Sequence, residues 1–338
     1  MITNRLNLPE PLVAAVANDP YDNGGTLSVT TLLKPAQAVA LGIKHGADTT
    51  EDAADRIWSL MGQIGHSIIE RAAPGLDPAR YIAERRFYMD IEQHRMKDFV
   101  RDFKGDPETR LRVSGAADLI DVVDEEVLDF KFTSGWAVMS ARENGGKSEW
   151  QHQLSALAML AREGGWIDHG IYGGATPPQP ISIKRGKIVA IVRDWTKSQA
   201  LKNPNFPQQP VEVLDMNILS DAETREWMDM RIEALKFALD GNDAPCTDEE
   251  RWAKKGGWAV YKGSNKTAAR VMPSELELSA WIGMNRSKVG DNYRIEERPT
   301  VYNRCSSYCS AASFCRQHQQ SLGPQEALAG EPTEPADM

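Results

Sequence analysis

The chain has 338 residues, 41% of them hydrophobic, and a formal net charge of -9 at pH 7. This length predicts one large domain or two, with enough apolar residues for a well-packed core. The acidic charge argues against a surface that is basic throughout, but it leaves room for local basic patches. No apolar run is long enough to span a membrane and the first residues lack the pattern of a signal peptide, so we expect a cytoplasmic protein without membrane contact.

The N-terminal part is predicted to be a segment over residues 1–50 followed by an amphipathic helix over residues 52–73. Apolar residues recur through the helix at the spacing of a single face. His66 and Glu70 are four residues apart and therefore share one side of it. A single histidine on a helix is more often structural than a metal ligand, so its role depends on the residues that follow. A strand over residues 81–92 and a polar connection come next.

A hairpin is predicted over residues 113–133, with a short acidic turn between its two strands. Charged side chains interrupt both apolar strands: Asp118 lies in the first, and Asp129 and Lys131 lie in the second. Because residues i and i+2 of a strand point to the same face, Asp129 and Lys131 are side by side, and pairing can bring Asp118 opposite them. Such charges are costly in an apolar sheet unless they are paired or bind a metal ion. A partly exposed sheet with a salt bridge is the alternative, but two carboxylates on successive strands favour a functional site.

Residues 132–150 are predicted to be a loop, rich in Gly, Lys and Arg, that reaches over this site. Lys147 is a candidate DNA contact in the loop, although an ordinary surface charge is the default interpretation. A helix with one apolar face is predicted over residues 150–162. Its Gln153 is placed to hydrogen-bond near the carboxylates or to a substrate phosphate, or else is a surface glutamine.

The later elements are predicted to complete a sheet. Strands are expected over residues 167–172 and 188–194, and a proline-rich crossing leads to a last strand. A long amphipathic helix follows over residues 220–239, with Ser220 or Asp221 as its N-cap. Together these elements predict an α/β protein whose central sheet is flanked by helices.

All four cysteines fall in the C-terminal third of the chain: Cys246, Cys305, Cys309 and Cys315. In a cytoplasmic chain, four cysteines are more typical of a metal site than of disulfides. Four thiolates suit a tetrahedral zinc ion or an iron–sulfur cluster, and such a site would clamp the C-terminal segment back near Cys246. Buried free thiols are the alternative, and the clustering of the four argues against it.

Basic and aromatic residues alternate between the first and second cysteines, and a hairpin is predicted over residues 258–272. Because bases stack on aromatic rings and phosphates pair with cations, this composition is typical of a surface that binds single-stranded DNA. Ordinary packing of a small hairpin is the alternative. The candidate DNA-binding residues of this segment are Trp252, Lys254, Lys255, Lys262, Lys266 and Arg270.

Four short motifs follow one another between residues 62 and 162. In chain order they are Gly62-xxx-His66-xxx-Glu70, Gly115-Ala-Ala-Asp118, Asp129-Phe-Lys131 and Gln153-Leu154-xx-Leu157. Together they resemble the motifs of the PD-(D/E)XK nucleases, and more closely those of the RecB-like and phage-type exonucleases. The chain departs from that pattern at Leu157, where the RecB-like branch has an aromatic residue.

The resemblance implies a restriction-endonuclease-like α/β fold, in which a central mixed sheet is flanked by helices. It also implies a small C-terminal subregion that is held together by the cysteines. The expected divisions of the chain are an N-terminal segment over 1–50, a nuclease core over 51–241, a region with the cysteine cluster and basic hairpin over 242–318, and a disordered tail over 319–338.

The resemblance also implies a hydrolytic site that uses Mg²⁺ or Mn²⁺. Lys131 would orient or deprotonate a water molecule, or stabilise charge on the phosphate, and Glu70 would position His66, a lysine or a water. The residues implied to bind the ion are His66, Asp118, Asp129 and the backbone carbonyl of Phe130. The residues implied to act in catalysis are Asp118, Asp129, Lys131, Glu70 and Gln153.

Some RecB-like enzymes hold a [4Fe-4S] cluster on four cysteines, and the resemblance implies the same cofactor on the four cysteines of this chain. Those enzymes space their last three cysteines as C-x2-C-x5-C, and their first cysteine precedes the nuclease core. This chain instead has C-x3-C-x5-C and a late first cysteine. Zn²⁺ therefore stays open as the alternative.

The expected function is that of a metal-dependent DNA exonuclease in phage or bacterial recombination, repair or replication, in the cytoplasm of a bacterial or phage-infected cell. Its expected partners are linear DNA ends, single- or double-stranded, and a helicase, recombinase or single-strand-binding protein. The sequence has no P-loop, so any ATP-driven unwinding must come from such a partner. The alternatives are a non-catalytic DNA-binding or scaffold protein with a nuclease fold, and a zinc-stapled interaction protein whose hairpin charges form only salt bridges.

Overall fold

The computed structural model describes residues 2–18, 27–95, 110–167 and 181–322, and the side chains of residues 58, 64–67, 69 and 70 lie outside that description. Contacts between residues divide the chain into two units, Met1–Ala244 and Pro245–Met338. Within the described ranges, no helix has both the length and the apolar character needed to cross a bilayer.

The first unit is built on a mixed sheet. The strands of this unit are β1 (Ile2–Thr3), β2 (Leu27–Ser28), β3 (Glu51–Asp52), β4 (Tyr81–Arg95), β5 (Arg110–Asp121), β6 (Glu126–Thr133), β7 (Gly165–Ile167), β8 (Arg185–Val192) and β9 (Val211–Met216). Seven of these strands form one sheet in the order β7-β4-β5-β6-β8-β9, with β2 paired to β5. The neighbours β4, β5 and β6 are antiparallel, β6 and β8 are parallel, and β8 and β9 are antiparallel.

Helices flank this sheet and bury its apolar side chains. They are α1 (Glu10–Ala17), α2 (Val29–Leu32), α3 (Ala36–His45), α4 (Ile57–Ala72), α5 (Gly135–Glu143), α6 (Ser148–Glu163), α7 (Lys197–Lys202) and α8 (Asp221–Leu239). Both α4 and α6 pack against β4, β5 and β6, and α6 contacts α8 as well. The core includes Leu154, Leu157 and Leu160 of α6, all of them buried. The predicted α/β architecture with a mixed central sheet between helices is therefore present.

One glycine brings α6 close to the strand that carries Asp118. A Cβ atom added at Gly115 would lie 2.6 Å from Cδ2 of Leu157 and 3.1 Å from Cγ2 of Val29. Real Cβ atoms do not approach so closely, so the glycine of the Gly-Ala-Ala-Asp motif allows β5 to pack directly on α6. The closeness of α6 in turn positions Gln153 near the hairpin.

Several predicted elements differ from those observed. The predicted loop over residues 132–150 is wrong, because α5 occupies much of it; the hydroxyl of Ser134 accepts the N–H of Ala137 and caps this helix. The predicted strand over residues 167–172 begins earlier, at Gly165, and its remainder after Ile167 lies outside the described residues.

Two further predictions concern a long helix and the C-terminal tail. The helix over residues 220–239 is confirmed as α8, whose N-cap is Ser220: its hydroxyl accepts the N–H of Glu223, and the Glu223 carboxylate accepts the N–H of Ser220. The disordered tail predicted from residue 319 begins too early, since a helix continues to Ser321. Residues 323–338 lie outside the described part of the chain.

The second unit contains a small antiparallel sheet and the cysteine-bearing segments. Its strands are β10 (Ala253–Lys254), β11 (Gly257–Lys262), β12 (Arg270–Met272), β13 (Tyr293–Arg298) and β14 (Val301–Tyr302), and its helices are α9 (Glu275–Met284), α10 (Arg286–Val289), α11 (Asn303–Ser307) and α12 (Arg316–Ser321). The predicted hairpin is confirmed as β11 and β12, and β13 adds a third strand on the other side of β11. A core of Val260, Leu278, Ile282 and Val289 lies under this sheet, and β10 pairs separately with β14.

Candidate functional site

The hairpin of β5 and β6 places two buried carboxylates side by side. The pairing of Ile120 with Val127 and of Leu119 with Leu128 makes Asp118 and Asp129 the next pair along the same register. Both residues are buried, with Asp118 3% and Asp129 2% exposed. The N–H of Phe130 donates to Oδ2 of Asp118 at 2.8 Å, which fixes that carboxylate against β6.

The turn of this hairpin is held by a different aspartate. Asp121 Oδ1 accepts the N–H groups of Val123 and Asp124, and Arg80 donates to its Oδ2. Glu125 takes the left-handed backbone conformation, with φ of 56°. These local bonds fix the point at which the chain reverses, and so they fix the register that aligns Asp118 with Asp129.

Lys131 and Gln153 complete a closed network with Asp129. The Lys131 Nζ atom lies 2.8 Å from Asp129 Oδ2 and donates to Gln153 Oε1 at 2.9 Å. The Gln153 Nε2 atom donates to Asp129 Oδ1 at 2.8 Å. Gln153 therefore hydrogen-bonds to both members of the ion pair. Its helix, α6, is fixed in place because its apolar face is buried in the core.

The electrostatics of this network favour a protonated Lys131. Burial by itself lowers the pKa of the ammonium, but the charge of Asp129, its hydrogen bond and the charges of Asp118 and Glu149 outweigh burial and raise that pKa. An ammonium with a raised pKa donates hydrogen bonds and stabilises negative charge. The role of Lys131 as a charge stabiliser therefore fits better than its role as a base.

Glu149 is a residue that the sequence interpretation missed. It is exposed in the first turn of α6, four residues before Gln153, and its charge acts on both Lys131 and Lys147. The i, i+4 spacing from Gln153 was the available signal, because such residues share one face of a helix. The candidate DNA contact Lys147 lies partly buried, with its Nζ 4.9 Å from the ring centroid of Trp150, and burial lowers its pKa.

The predicted residues His66 and Glu70 lie in α4, which packs against β6. That helix therefore runs beside the strand of Asp129 and Lys131. The side chains of His66 and Glu70 lie outside the described part of the structure, so their expected contacts with Asp118 and Asp129 stay predictions.

The oxygen donors of the two carboxylates suit a hard divalent ion. Mg²⁺ and Mn²⁺ prefer oxygen ligands, and Asp118 and Asp129 supply carboxylate oxygens from adjacent strands. Within the described ranges, no three or more His, Cys, Asp or Glu side chains are arranged as a metal-binding group.

The four cysteines of the second unit interact electrostatically, and the other three act on Cys246. None forms a disulfide; Cys315 is buried and the others are half-buried. Burial is the main cause that raises the pKa of the Cys246 thiol to about 12. The further charges that raise it, in decreasing order, are those of Glu250, Cys315, Cys305 and Cys309. Every other thiol therefore lies within electrostatic reach of Cys246.

Two sets of hydrogen bonds hold this cluster. Gln317, two residues after Cys315, accepts the N–H of Cys246 at 2.9 Å and donates to its carbonyl at 2.9 Å. Burial raises the pKa of Cys309, while a hydrogen bond from the N–H of Ala311 lowers it. Thiolate sulfurs are donors that zinc and iron–sulfur clusters accept, and binding of either would replace the thiol protons. In the described part of the chain, however, the four thiols are not arranged as a metal-binding group.

The candidate DNA-binding residues of the second unit lie in two places. Trp252, Lys254 and Lys255 lie at the β10–β14 pair, and the other three lie along the β11–β12 hairpin. All five of these basic side chains are exposed. Trp252 is 42% exposed and makes an edge contact with Tyr308, whose ring centroid is 5.2 Å away. The guanidinium of Arg304 lies 4.4 Å from the centroid of the Trp252 ring.

Comparison with known proteins assigns no family. No family model matches the chain, and neither does any curated protein. Among solved structures, the crystal structure of SSO0001 is similar to it, with a TM-score of 0.40 and 15% identity, over 72% of this chain and 91% of that chain. A similarity of that size is too weak to assign fold or function.

Proposed function

We propose that the chain is a divalent-cation-dependent DNA exonuclease that hydrolyses phosphodiester bonds, with the restriction-endonuclease-like fold that the motifs predict. The observation that supports this most strongly is the network on adjacent strands. It comprises two buried aspartates, a lysine that pairs with one of them, and a glutamine that contacts both members of that pair. An ordinary sheet gains little from such buried charges, whereas a phosphodiesterase uses them.

The residues of this chain have distinct roles in the proposed reaction. Asp118, Asp129, the Phe130 carbonyl and His66 would hold the cation, which supplies Lewis-acid chemistry and lowers the pKa of water when bound. The Lys131 ammonium stabilises the charge that develops on the phosphate, and Gln153 keeps it aligned with Asp129. Glu70 orients His66 or the attacking water from the same face of α4.

The proposal is tested by digestion of linear and covalently closed circular DNA, each single- and double-stranded, with Mg²⁺ or Mn²⁺. Lys131→Ala is the test variant, and Lys184→Ala is a matched control, because Lys184 forms an exposed ion pair with Glu125 at the rim of the same sheet. Loss of linear DNA alone, abolished in Lys131→Ala but not in Lys184→Ala, supports an exonuclease at this site. Cleavage of circles as well would make it an endonuclease, and full activity in Lys131→Ala would contradict the assignment.

A second candidate function is DNA binding without catalysis. The exposed Trp252–Tyr308 contact, with Arg304 against one ring and lysines nearby, favours it, because exposed aromatic rings and cations together suit single-stranded DNA. An intact protein that binds labelled single strands but cleaves no substrate with either ion would establish this function instead.

The cofactor proposed for the second unit is a [4Fe-4S] cluster on Cys246, Cys305, Cys309 and Cys315, with Zn²⁺ as the alternative. Metal and sulfide analysis of an anaerobic preparation separates the two, since a brown protein with bound sulfide excludes zinc alone. The same proposal includes the partners, which are linear DNA ends and a helicase, recombinase or single-strand-binding protein. It also includes a cytoplasmic location.

A further inference from the structure

The helix α9 of the second unit is apolar on two opposite faces. Leu278 and Ile282 are buried in the core under the small sheet. On the other side of the helix, Leu276 is 81% exposed and Met284 is 79% exposed, the two highest fractions among the large apolar side chains of the described residues. A helix that is apolar all round is normally buried all round, so this exposed face is a candidate surface for a partner.

The outer face of α9 forms one ridge with small residues at its centre. Ala280 and Gly283 lie between Leu276 and Met284, at the i, i+4, i+7 and i+8 positions that share one face of a helix. All four residues of this α9 ridge are exposed, and nothing lies within 4 Å of a Cβ atom added at Gly283. A second helix can therefore approach the middle of the ridge closely, with larger side chains packing on either side of that point.

Opposite charges lie at the two ends of the α9 ridge. Glu275 and Glu277 are in the first turn of α9, and Arg286 and Lys288 are in α10, which follows the other end. All four side chains are exposed. The ion pair of Arg286 with Asp291 is exposed as well, so it competes only weakly with a new partner. An antiparallel copy of the same helix would place acidic residues beside basic ones, whereas a parallel copy would bring like charges together.

We propose that the α9 ridge is a self-association surface, on which a second copy of this chain docks with its own α9 antiparallel to the first. The contact is two-fold symmetric, so Leu276 of each copy packs against Met284 of the other, and the small residues meet near the axis. One helix pair buries less area than a standard interface, so we expect a dissociation constant of about 10–100 µM. This inference depends on neither the nuclease activity nor the cysteine cofactor.

Sedimentation equilibrium of the full-length chain, at concentrations on both sides of this range, tests the proposal with a matched pair of variants. Met284→Glu and Met284→Lys both remove the apolar side chain, but only the glutamate meets like charges at the acidic end of the second copy. We expect Met284→Glu to raise the dissociation constant at least about tenfold, and Met284→Lys to raise it less. Leu201→Glu is the control, because Leu201 is 78% exposed in α7 of the first unit, and it should leave association unchanged.

Zero-length cross-linking with a carbodiimide tests the antiparallel arrangement directly. In a mixture of isotope-labelled and unlabelled chains, we expect mixed pairs in which Lys288 is joined to Glu275 or Glu277. Within one chain these groups lie at opposite ends of α9, which is about 15 Å long, so a zero-length link between them requires two copies.

Three results would overturn the inference. The first is a wild-type chain that stays monomeric throughout the range, which would leave the ridge to a different partner. The second is a dimer that both Met284 variants leave intact, which would place the interface elsewhere. The third is equal weakening by Met284→Glu and Met284→Lys without mixed cross-links, which would exclude the antiparallel arrangement. Unfolding midpoints at low concentration should agree within about 2 °C, because every substituted side chain is exposed.

Discussion

At the residue scale, Lys131 shows how surroundings decide the chemistry of a short motif. The tripeptide Asp129-Phe-Lys131 by itself leaves open a salt bridge, a base and a charge stabiliser. In the structure, burial lowers the pKa of Lys131, but Asp129, Asp118 and Glu149 together raise it above that of an ordinary lysine. The carboxylates that would bind a cation are therefore the same groups that keep the lysine charged.

The pH dependence of stability follows from the raised pKa of Lys131. A lysine whose pKa is raised on folding stabilises the folded state fully below its ordinary value of 10.5, and this stabilisation is lost as pH rises through the folded-state pKa. We expect Lys131→Met to be less stable than wild type at pH 7, and the difference to shrink in the alkaline range. Urea unfolding at a series of pH values, without added cations, measures it. If the difference in the free energy of unfolding stays constant across that range, the variant is destabilised by lost packing and not by the lost charge.

Gln153 offers a test of positioning without removal of a charge. Replacement of Gln153 by Leu breaks the hydrogen bonds to Lys131 and Asp129 but keeps the apolar face of α6, so we expect activity to fall by about 10- to 100-fold with little change in the unfolding midpoint. Gln151→Leu is the matched control, since Gln151 lies on the same helix and donates to the carbonyl of Asn217 instead. Steady-state cleavage of end-labelled linear DNA compares the two. If Gln153→Leu cleaves DNA as fast as Gln151→Leu does, Gln153 has no part in the proposed site.

At the scale of elements, the sequence predicted what depends on local pattern. The hairpin follows from alternating apolar residues and an acidic turn, and α8 follows from its amphipathic pattern and the Ser220–Glu223 capping box. The helix α5 was not predicted, because Gly135 at its start packs against Phe206, a contact from 71 positions further along the chain. The role of Glu149 was missed for a similar reason: it depends on where α6 lies relative to β6, which no short motif encodes.

Gly115 and Gly62 provide a pair of matched glycine substitutions. A methyl group at Gly115 meets Leu157 and Val29 at distances that require a shift of β5 or α6, so we expect Gly115→Ala to destabilise the protein by about 1–3 kcal/mol. Nothing lies within 4 Å of a Cβ at Gly62, inside α4, so Gly62→Ala should be neutral or stabilise by up to about 1 kcal/mol. The free energy of unfolding in urea measures both. If the two substitutions change the free energy of unfolding equally, the packing of β5 on α6 does not depend on a glycine at position 115.

At the scale of the whole molecule, the two proposed kinds of metal chemistry belong to different units. The carboxylate network lies in the first unit, and all four cysteines lie in the second. Cys246 stands one residue after the second unit begins, and Gln317, which holds it, stands near the end of the described chain. A metal on these cysteines would close a loop of about 70 residues, and closing so long a loop removes much of the conformational freedom of the unfolded chain.

If the cysteines bind the proposed metal, its loss should therefore destabilise the second unit and leave the first unit unchanged. We expect Cys315→Ser to lower the unfolding midpoint of the second unit by about 10 °C, and to speed amide hydrogen exchange in residues 245–322. Exchange in the hairpin of β5 and β6 should stay as slow as in wild type, because its protection comes from the sheet and from α6. Ser310→Ala is the control, an exposed position between Cys309 and Cys315. Faster exchange in both units would mean that a metal on the cysteines also stabilises the first unit. Unchanged exchange in both would mean that the cysteines hold no metal that matters for folding.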